Sequence, residues 1–247
     1  MKSVALTHLG AVRENNEDAI FADDMLQLYI VADGMGGYQG GEIASAMAIE
    51  IVVSDCKEMI SGAEDVNDIK EGLRQAIYHA NDSIYQCYQK GTQNSPMGTT
   101  LTVVYIRDGI AYIGHVGDSR AYLLHTGEAM RQLTKDHSVI GEMLEKGEIS
   151  PEEAKTHPSR HMLTRAIGYF PLVDVDITVL AFAEEDRILL CTDGLYNLVS
   201  EEEIAACLQK EEYPVAKLIA RALERGGFDN ISAVYITNHF EGNEVLG

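Results

Sequence analysis

Three apolar runs in this chain end on a carboxylate, and that pattern constrains its fold more than any other feature. LYIVADGMGG (28–37) and ILLCTDG (188–194) each run from a strand-like segment into Asp-Gly, and YIGHVGDSR (112–120) nearly repeats them. An ionised carboxylate at the end of a buried strand is costly unless something pairs with it. Asp-Gly is also a strong hairpin signal, so each pair has a plain reading as a type I′ turn. Asp108-Gly109 fits that reading, because alternating apolar runs flank it closely on both sides. Asp33-Gly34 does not: MGGYQGGEIASAMAIEIVV follows, a loop and then a helix. Asp193-Gly194 is followed by LYNLVSEEEIAACL, which reads as helix. Both aspartates are expected at the end of an apolar strand. Asp118, which ends the third run, lies between two strand-like segments, and further acidic positions stand at strand boundaries: Asp229 at the entry to the last strand and Glu17-Asp18 at the start of the second. For Asp118 a simple turn carboxylate competes with any functional role.

Strand-like runs are expected near 3–9, 18–22, 26–32, 99–106, 110–116, 119–125, 174–182, 186–192 and 231–237. Two long helices follow the first strands. Ile69, Leu73, Ile77, Ala80, Ile84 and Tyr88 recur at helical spacing in the second of them. Val215, Leu218, Ile219, Ala222 and Leu223 mark a late helix that stops at Gly226-Gly227. Strands cluster, then helices, then strands again, which is not the alternation of a doubly wound parallel sheet. Hairpin signals at Asp108-Gly109 and Thr126-Gly127 favour antiparallel pairing, so the fold class is α+β in layers. With no 20–50-residue period and no low-complexity linker, residues 1–247 read as one domain. Segment 136–165 is short-helical and charged, with His137, His157 and His161. It reads equally as a lid over a site or as a surface helix pair.

The formal net charge is −20, which leaves no basic excess for nucleic acid or an anionic membrane. No apolar run is long enough to span a bilayer. Cys56, Cys87, Cys191 and Cys207 show no CxxC spacing and lie mostly in apolar segments, so they read as small hydrophobes in a reducing cytoplasm. The acidic surplus serves either solubility or cation binding, and only position separates the two. Carboxylates brought close together raise one another's pKa, and a divalent cation reverses that penalty. Oxygen donors without a Cys/His pattern select Mg²⁺ or Mn²⁺ over Zn²⁺. Arg13, four residues before Glu17, is a salt-bridge partner or a planar fork for phosphate oxygens. A nucleotide-binding loop at 28–50 is disfavoured: its glycines are out of register for GxGxxG or GxxxxGK, and no lysine follows.

Eight segments then occur in order: GAVRENNED, VADGMGG…GGE, MGTT, VGDSRAY, LTKDHS, HPSRHMLTRAIG, LLCTDGL and GGFDNISAV. Together, over more than 200 residues, they resemble the type 2C metal-dependent protein phosphatases in their short bacterial form. The resemblance implies an αββα four-layer sandwich of two antiparallel sheets flanked by helices, with a two-metal centre in a cleft at one end. It implies that Asp33 bridges two Mn²⁺ or Mg²⁺ ions, that the Gly34 carbonyl binds one, and that Asp193 and Asp229 complete the set. Glu17 and Asp18 then hold metal-bound waters, Asp118 with Asp193 matches a third-metal site, Arg13 binds phosphate, and Asn230 positions a ligand. The implied activity is hydrolysis of phosphoserine and phosphothreonine by a metal-bridging water, with no phosphoenzyme, so Ser119 and Cys191 stay structural. Phosphorylated proteins, including a cognate Ser/Thr kinase, are the partners expected of a soluble monomer.

One departure stands out. Bacterial relatives carry histidine where Tyr38 stands, and animal relatives carry it at Met35. The leaving-group acid is therefore unassigned between a water near Asp118 and His161. Two other readings keep the fold: a non-catalytic binding relative, which should have lost one of Asp33, Asp193 or Asp229, and a narrow-target phosphatase of an anti-sigma-antagonist pathway, which an appended sensor domain would favour.

Overall fold

In a computed structural model of the chain, residues 1–36, 40–59, 62–90, 96–154 and 156–238 are described. Tyr38, the side chain of Tyr88 and residues 239–247 lie outside them. The chain begins with β1 (Lys2–His8), β2 (Asp18–Asp23) and β3 (Leu28–Gly36). Two long helices follow, α1 (Gly40–Met59) and α2 (Val66–Gln89). Then come β4 (Met97–Thr99), β5 (Leu101–Arg107), β6 (Ile110–Val116), β7 (Arg120–Leu124) and the short β8 (Arg131–Gln132). Short helices α3 (Val139–Glu145) and α4 (Pro151–Ala154) precede β9 (Asp176–Ala181) and β10 (Arg187–Cys191). The one-turn α5 (Asp193–Tyr196), then α6 (Glu201–Lys210) and α7 (Pro214–Glu224), lead into β11 (Ile231–Thr237).

Two antiparallel sheets result, in the orders β1-β11-β10-β7-β8 and β2-β3-β5-β6-β9, with β4 added to the end of β3. The period-2 alternation of strand side chains explains why helices cover both outer faces. In β3, Leu28, Ile30 and Ala32 pack with Ala44, Leu73 and Ile77 of α1 and α2, whereas Tyr29 and Val31 face the other sheet. In β10, Leu189 and Cys191 pack with Ile204 and Leu218 of α6 and α7, whereas Ile188 and Leu190 join the inter-sheet layer. Both faces of each central strand are therefore buried, and the layers read α, β, β, α.

The same parity places polar side chains at one end of the inter-sheet layer. Asp33 continues the Tyr29–Val31 face, Thr192 the Ile188–Leu190 face, and Ser232 the Val234–Ile236 face. Asp18 does the same ahead of Ile20 and Ala22, which pack against this layer.

Two expectations are corrected. β3 does not stop before Asp33: it runs on to Gly36, because β4 supplies a partner there (Gly34↔Thr99, Met35↔Gly98, Gly36↔Met97). The run 99–106 is not one strand, since Thr100 leaves the ladder to bond the Asp33 backbone. Asp108-Gly109 is the expected turn: Arg107 pairs with Ile110, and the two turn residues have φ of 53° and 72°. The 136–165 excursion holds two short helices and is closed at its base by a Ser138↔Leu163 bridge.

Candidate active site

A cleft of about 910 Å³ opens at the polar end of the inter-sheet layer. Arg13, Glu17, Asp33, Gly34, Asp118, His161, Asp193 and Asp229 all line it, although they come from six separate parts of the chain. Asp18 and Asn230 stand behind its surface.

Asp33 is the most firmly held of the group. Its N–H donates to Thr100 Oγ1 (2.9 Å), and its carbonyl accepts from Thr100 N (2.8 Å) and Thr99 Oγ1 (2.9 Å). Thr100 Oγ1 in turn bonds Ser119 Oγ at 2.7 Å, tying Asp33 to the Asp118 loop. Beside it, Gly34 N–H donates to the Glu17 carbonyl at 3.1 Å. A Cβ on Gly34 would stand 2.1 Å from the Gly41 carbonyl oxygen and 2.5 Å from that of Glu17, so only glycine lets the three backbones meet. Ser45, from α1, donates to the same Glu17 carbonyl at 2.6 Å.

Asn230 binds the Glu17 loop to the start of β11. Its Oδ1 accepts from Glu17 N (2.8 Å), and its Nδ2 donates to the carbonyls of Leu9 (2.8 Å) and Asn15 (3.0 Å). Asp18 is buried, and its Oδ2 accepts from Thr192 Oγ1 (2.8 Å) and Ser232 Oγ (2.6 Å). Its other oxygen, Oδ1, is buried with no hydrogen-bond partner.

Asp193 opens α5, with Thr192 as N-cap. Gly194 follows because a Cβ there would lie 2.0 Å from the Asn230 carbonyl oxygen. The same turn ends at Tyr196, whose hydroxyl donates to the Asp118 carbonyl at 3.0 Å, so α5 links Asp193 to the Asp118 loop. Tyr196 is itself stacked under Arg120, 3.8 Å from guanidinium carbon to ring centroid. Arg120 is held by Asp136 through Nε (2.9 Å) and Nη2 (2.7 Å). Arg13 donates from Nη2 to Asp229 Oδ2 at 2.9 Å.

Burial pushes Asp18, Asp33, Asp118 and Asp193 toward their protonated forms, and neighbouring aspartates raise each of them further. Asp33 is lifted well above the usual carboxylate range, first by burial and then by Asp18, Asp193, Asp118 and Asp229. Burial takes Asp18 to about 7, Asp118 to about 8 and Asp193 to about 6, with neighbouring aspartates adding to each. Such a set is destabilising as a group of anions and suits a multivalent cation. The orphaned Asp18 oxygen and the close-packed Gly34 backbone fit the same chemistry. Among the described residues no three His, Cys, Asp or Glu side chains converge tightly enough to cage an ion alone. An ion held here would keep several waters, as Mg²⁺ and Mn²⁺ sites commonly do.

The family model for Protein phosphatase 2C matches residues 10–226. The chain belongs to that family. It is 38% identical over 236 residues to the serine/threonine phosphatase stp of Listeria innocua, covering 93% of each chain. The crystal structure of the Mycobacterium tuberculosis serine/threonine phosphatase PstP/Ppp superposes with a TM-score of 0.85 at 35% identity, covering 96% of this chain and 99% of that one. A second PstP structure, the catalytic domain in complex with two manganese ions, aligns at TM-score 0.82 and 34% identity over 95% of this chain and 96% of that one.

Of the residues that orient the carboxylates, only Asn230 had a role assigned from the sequence. Thr99 and Thr100 stood within MGTT, Arg120 within VGDSRAY and Asp136 within LTKDHS, each without a function. Thr192 stood within LLCTDGL, next to Asp193, and Ser232 within GGFDNISAV, two residues after Asn230, again without a function. Cys191 is fully buried with its thiol pushed up to about 12, and Ser119 is buried against Thr100, so neither is an activated nucleophile. Met35 lines the cleft, and His161 stands on its wall with Met162 and Leu163.

Proposed function

We propose that this chain is a protein serine/threonine phosphatase that hydrolyses phosphoserine and phosphothreonine esters with Mn²⁺ or Mg²⁺, two ions in the core and a third near Asp118. The meeting of Asp33, Asp118, Asp193, Asp229 and Arg13 in one cleft is the observation that carries this reading. The manganese-bound PstP relative supports the choice of metal. Asp33, Asp193 and Asp229, with the Gly34 carbonyl, would hold the core ions, and Asp118 with Asp193 would hold the third. When bound, such ions supply Lewis acidity and bring a water to nucleophilic strength near neutral pH.

The protein's own residues do the rest. Thr99 and Thr100 fix the Asp33 backbone, and Asn230 and Ser45 fix Glu17, so the carboxylates are preorganised before substrate arrives. Asp18, from behind the cleft surface, and Glu17, on its lining, act as acceptors for ordered water. Arg13 presents its guanidinium to the non-bridging phosphate oxygens and exchanges its Asp229 contact for them. A proton for the leaving oxygen comes from water near Asp118 or from His161 on the cleft wall. Residues 1–247 act as one catalytic domain, with 136–165 as its lid. The substrates are phosphoproteins, a cognate Ser/Thr kinase among them, met by a cytoplasmic monomer. Among the described residues, no helix is long and apolar enough to cross a membrane.

The test is hydrolysis of para-nitrophenyl phosphate by metal-stripped protein titrated with Mn²⁺ and Mg²⁺, beside Asp193→Asn. Turnover should appear with metal and fall roughly 100- to 1,000-fold in the variant. Folded protein that stays inactive with every metal would instead be a non-catalytic binding relative.

A further inference from the structure

One wall of the cleft differs from its acidic floor. Met162, Leu163, Ala166, Tyr169 and Phe170 line it, and two of these are large rings left in water. Tyr169 and Phe170 are each 48% exposed, and their rings meet edge to face at 5.3 Å and 70°. Scattered exposed hydrophobes need no explanation, but a contiguous apolar patch on the wall of a binding cleft points to a ligand.

The loop that carries this pair is pinned. Ile167 and Thr99 exchange both backbone hydrogen bonds (2.9 and 3.0 Å) immediately before it. Asn81, a buried side chain of α2, spends its whole amide on it. Asn81 Oδ1 accepts from Gly168 N (2.8 Å), and Nδ2 donates to the carbonyls of Phe170 (3.1 Å) and Pro171 (3.4 Å). A buried polar side chain satisfied in this way sets the loop's conformation. The backbone that carries the rings is therefore held in place, and an apolar group that covers them incurs no cost for ordering that loop. Phe170 also lines a second hollow of about 200 Å³ on its other side, together with Leu172 and Arg165.

We propose that Tyr169 and Phe170 form a specificity subsite for a bulky apolar side chain close in sequence to the phosphorylated residue of a protein substrate. The inference rests on the phosphatase reading above and names what that site selects. Continuity with the cleft sets the occupant: a polypeptide whose phosphate reaches the carboxylate floor must pass this wall. A sphere of the cleft's volume is about 12 Å across, and an extended chain advances ~3.3 Å per residue. The apolar residue therefore lies within about three positions of the phosphoresidue.

Matched phosphothreonine peptides, with leucine or serine in turn at each position up to three from the phosphothreonine, test this against para-nitrophenyl phosphate as the small substrate. The wild-type protein with Mn²⁺ should prefer a leucine-flanked peptide by about 10-fold in kcat/KM, the scale of an apolar pocket contact. The double variant Tyr169→Ser/Phe170→Ser should lose that preference while its rate on para-nitrophenyl phosphate stays within about 2-fold. Phe170→Leu, which keeps an apolar surface, should retain most of the preference. A wild-type enzyme indifferent to leucine, or a double variant that still prefers it, overturns the inference. A double variant that loses both substrates equally also overturns it, because the pair would then be structural. If light scattering finds a wild-type dimer that the double variant abolishes, a second copy covers the rings and the proposal fails. Absence of turnover on every substrate removes the phosphatase reading, and this inference with it.

Discussion

Asp33-Gly34 and Asp108-Gly109 are the same dipeptide in one sheet, and the fold treats them in opposite ways. Asp108 sits in a two-residue turn, its side chain 86% exposed, and Gly109 has only the Phe182 carbonyl oxygen 3.9 Å from where a Cβ would be. Asp33 lies inside β3, clamped by two threonines, and Gly34 is pressed against two carbonyl oxygens. In the turn the dipeptide is used for its backbone: both residues reach positive φ cheaply. In the cleft it is used for its side chains, one a carboxylate aimed into the inter-sheet layer and the other absent so that three segments can touch. What separates them is the neighbouring chain, since β4 extends the ladder past Asp33 and, among the described residues, no strand extends it past Asp108.

Several substitutions would sharpen or break this contrast. The largest effect is expected for Gly34→Ala, where a methyl group has no room among fixed backbone atoms. A stability loss of about 3 kcal/mol or more should accompany loss of phosphatase activity, read by denaturant unfolding and turnover. Near-normal unfolding and turnover would mean that the backbones at this step are not tightly packed.

Next in size is the pH dependence of the metal-stripped protein. Asp18, Asp118 and Asp193 have folded pKa values raised by burial to about 7, 8 and 6, so the folded state binds more protons than the unfolded state above pH ~4. Their contribution to stability is present in acid and lost as pH rises through those values. Buried His115, pulled down to about 4, acts the other way, losing stability as pH falls below its unfolded value near 6.5. Between pH ~8 and ~6.5 the carboxylates act together with His125, whose hydrogen bond to Asp186 raises its pKa, and both have the same sign, so the melting temperature should climb on acidification. Saturating Mn²⁺ should flatten the slope, by neutralising the cluster in its ionised form. A slope of the opposite sign without metal would count against the buried cluster.

Arg13→Ala should raise KM for para-nitrophenyl phosphate about 10-fold with a smaller change in kcat, the signature of lost phosphate binding. Unchanged kinetics would leave Arg13 as only the salt-bridge partner of Asp229. The smallest effect belongs to the turn: Gly109→Ala should cost about 1 kcal/mol from left-handed strain, with turnover unaltered. A drop in turnover there would erase the difference between the two dipeptides.

The residues show how far the sequence could be read. Continuous apolar runs identified β3 and β10 as buried strands, and the 3.6-residue period of α2 and α7 identified their buried faces, because these are local patterns that burial imposes on neighbouring residues. The Asp108-Gly109 turn was legible for the same reason. The end of β3 was misplaced because its last residues pair with Met97–Thr99, more than 60 positions away, and a strand's length depends on its partner as much as on its own residues. Thr99 and Thr100 were legible only as parts of MGTT, since hydrogen bonds from a side chain to distant backbone leave no periodic trace.

By itself the sequence determined the element types, the antiparallel layered class and the family, through side-chain periodicity and eight ordered motifs. It also supplied every acidic group in the cleft. Only the tertiary structure decided which of those groups meet. Arg13 and Asp229 are 216 residues apart and form an ion pair at 2.9 Å. Asp18 is satisfied on one oxygen by hydroxyls from two other strands' ends and left open on the other. The physical reason is that strand parity sets which face a side chain takes, whereas sheet order and register set what it faces.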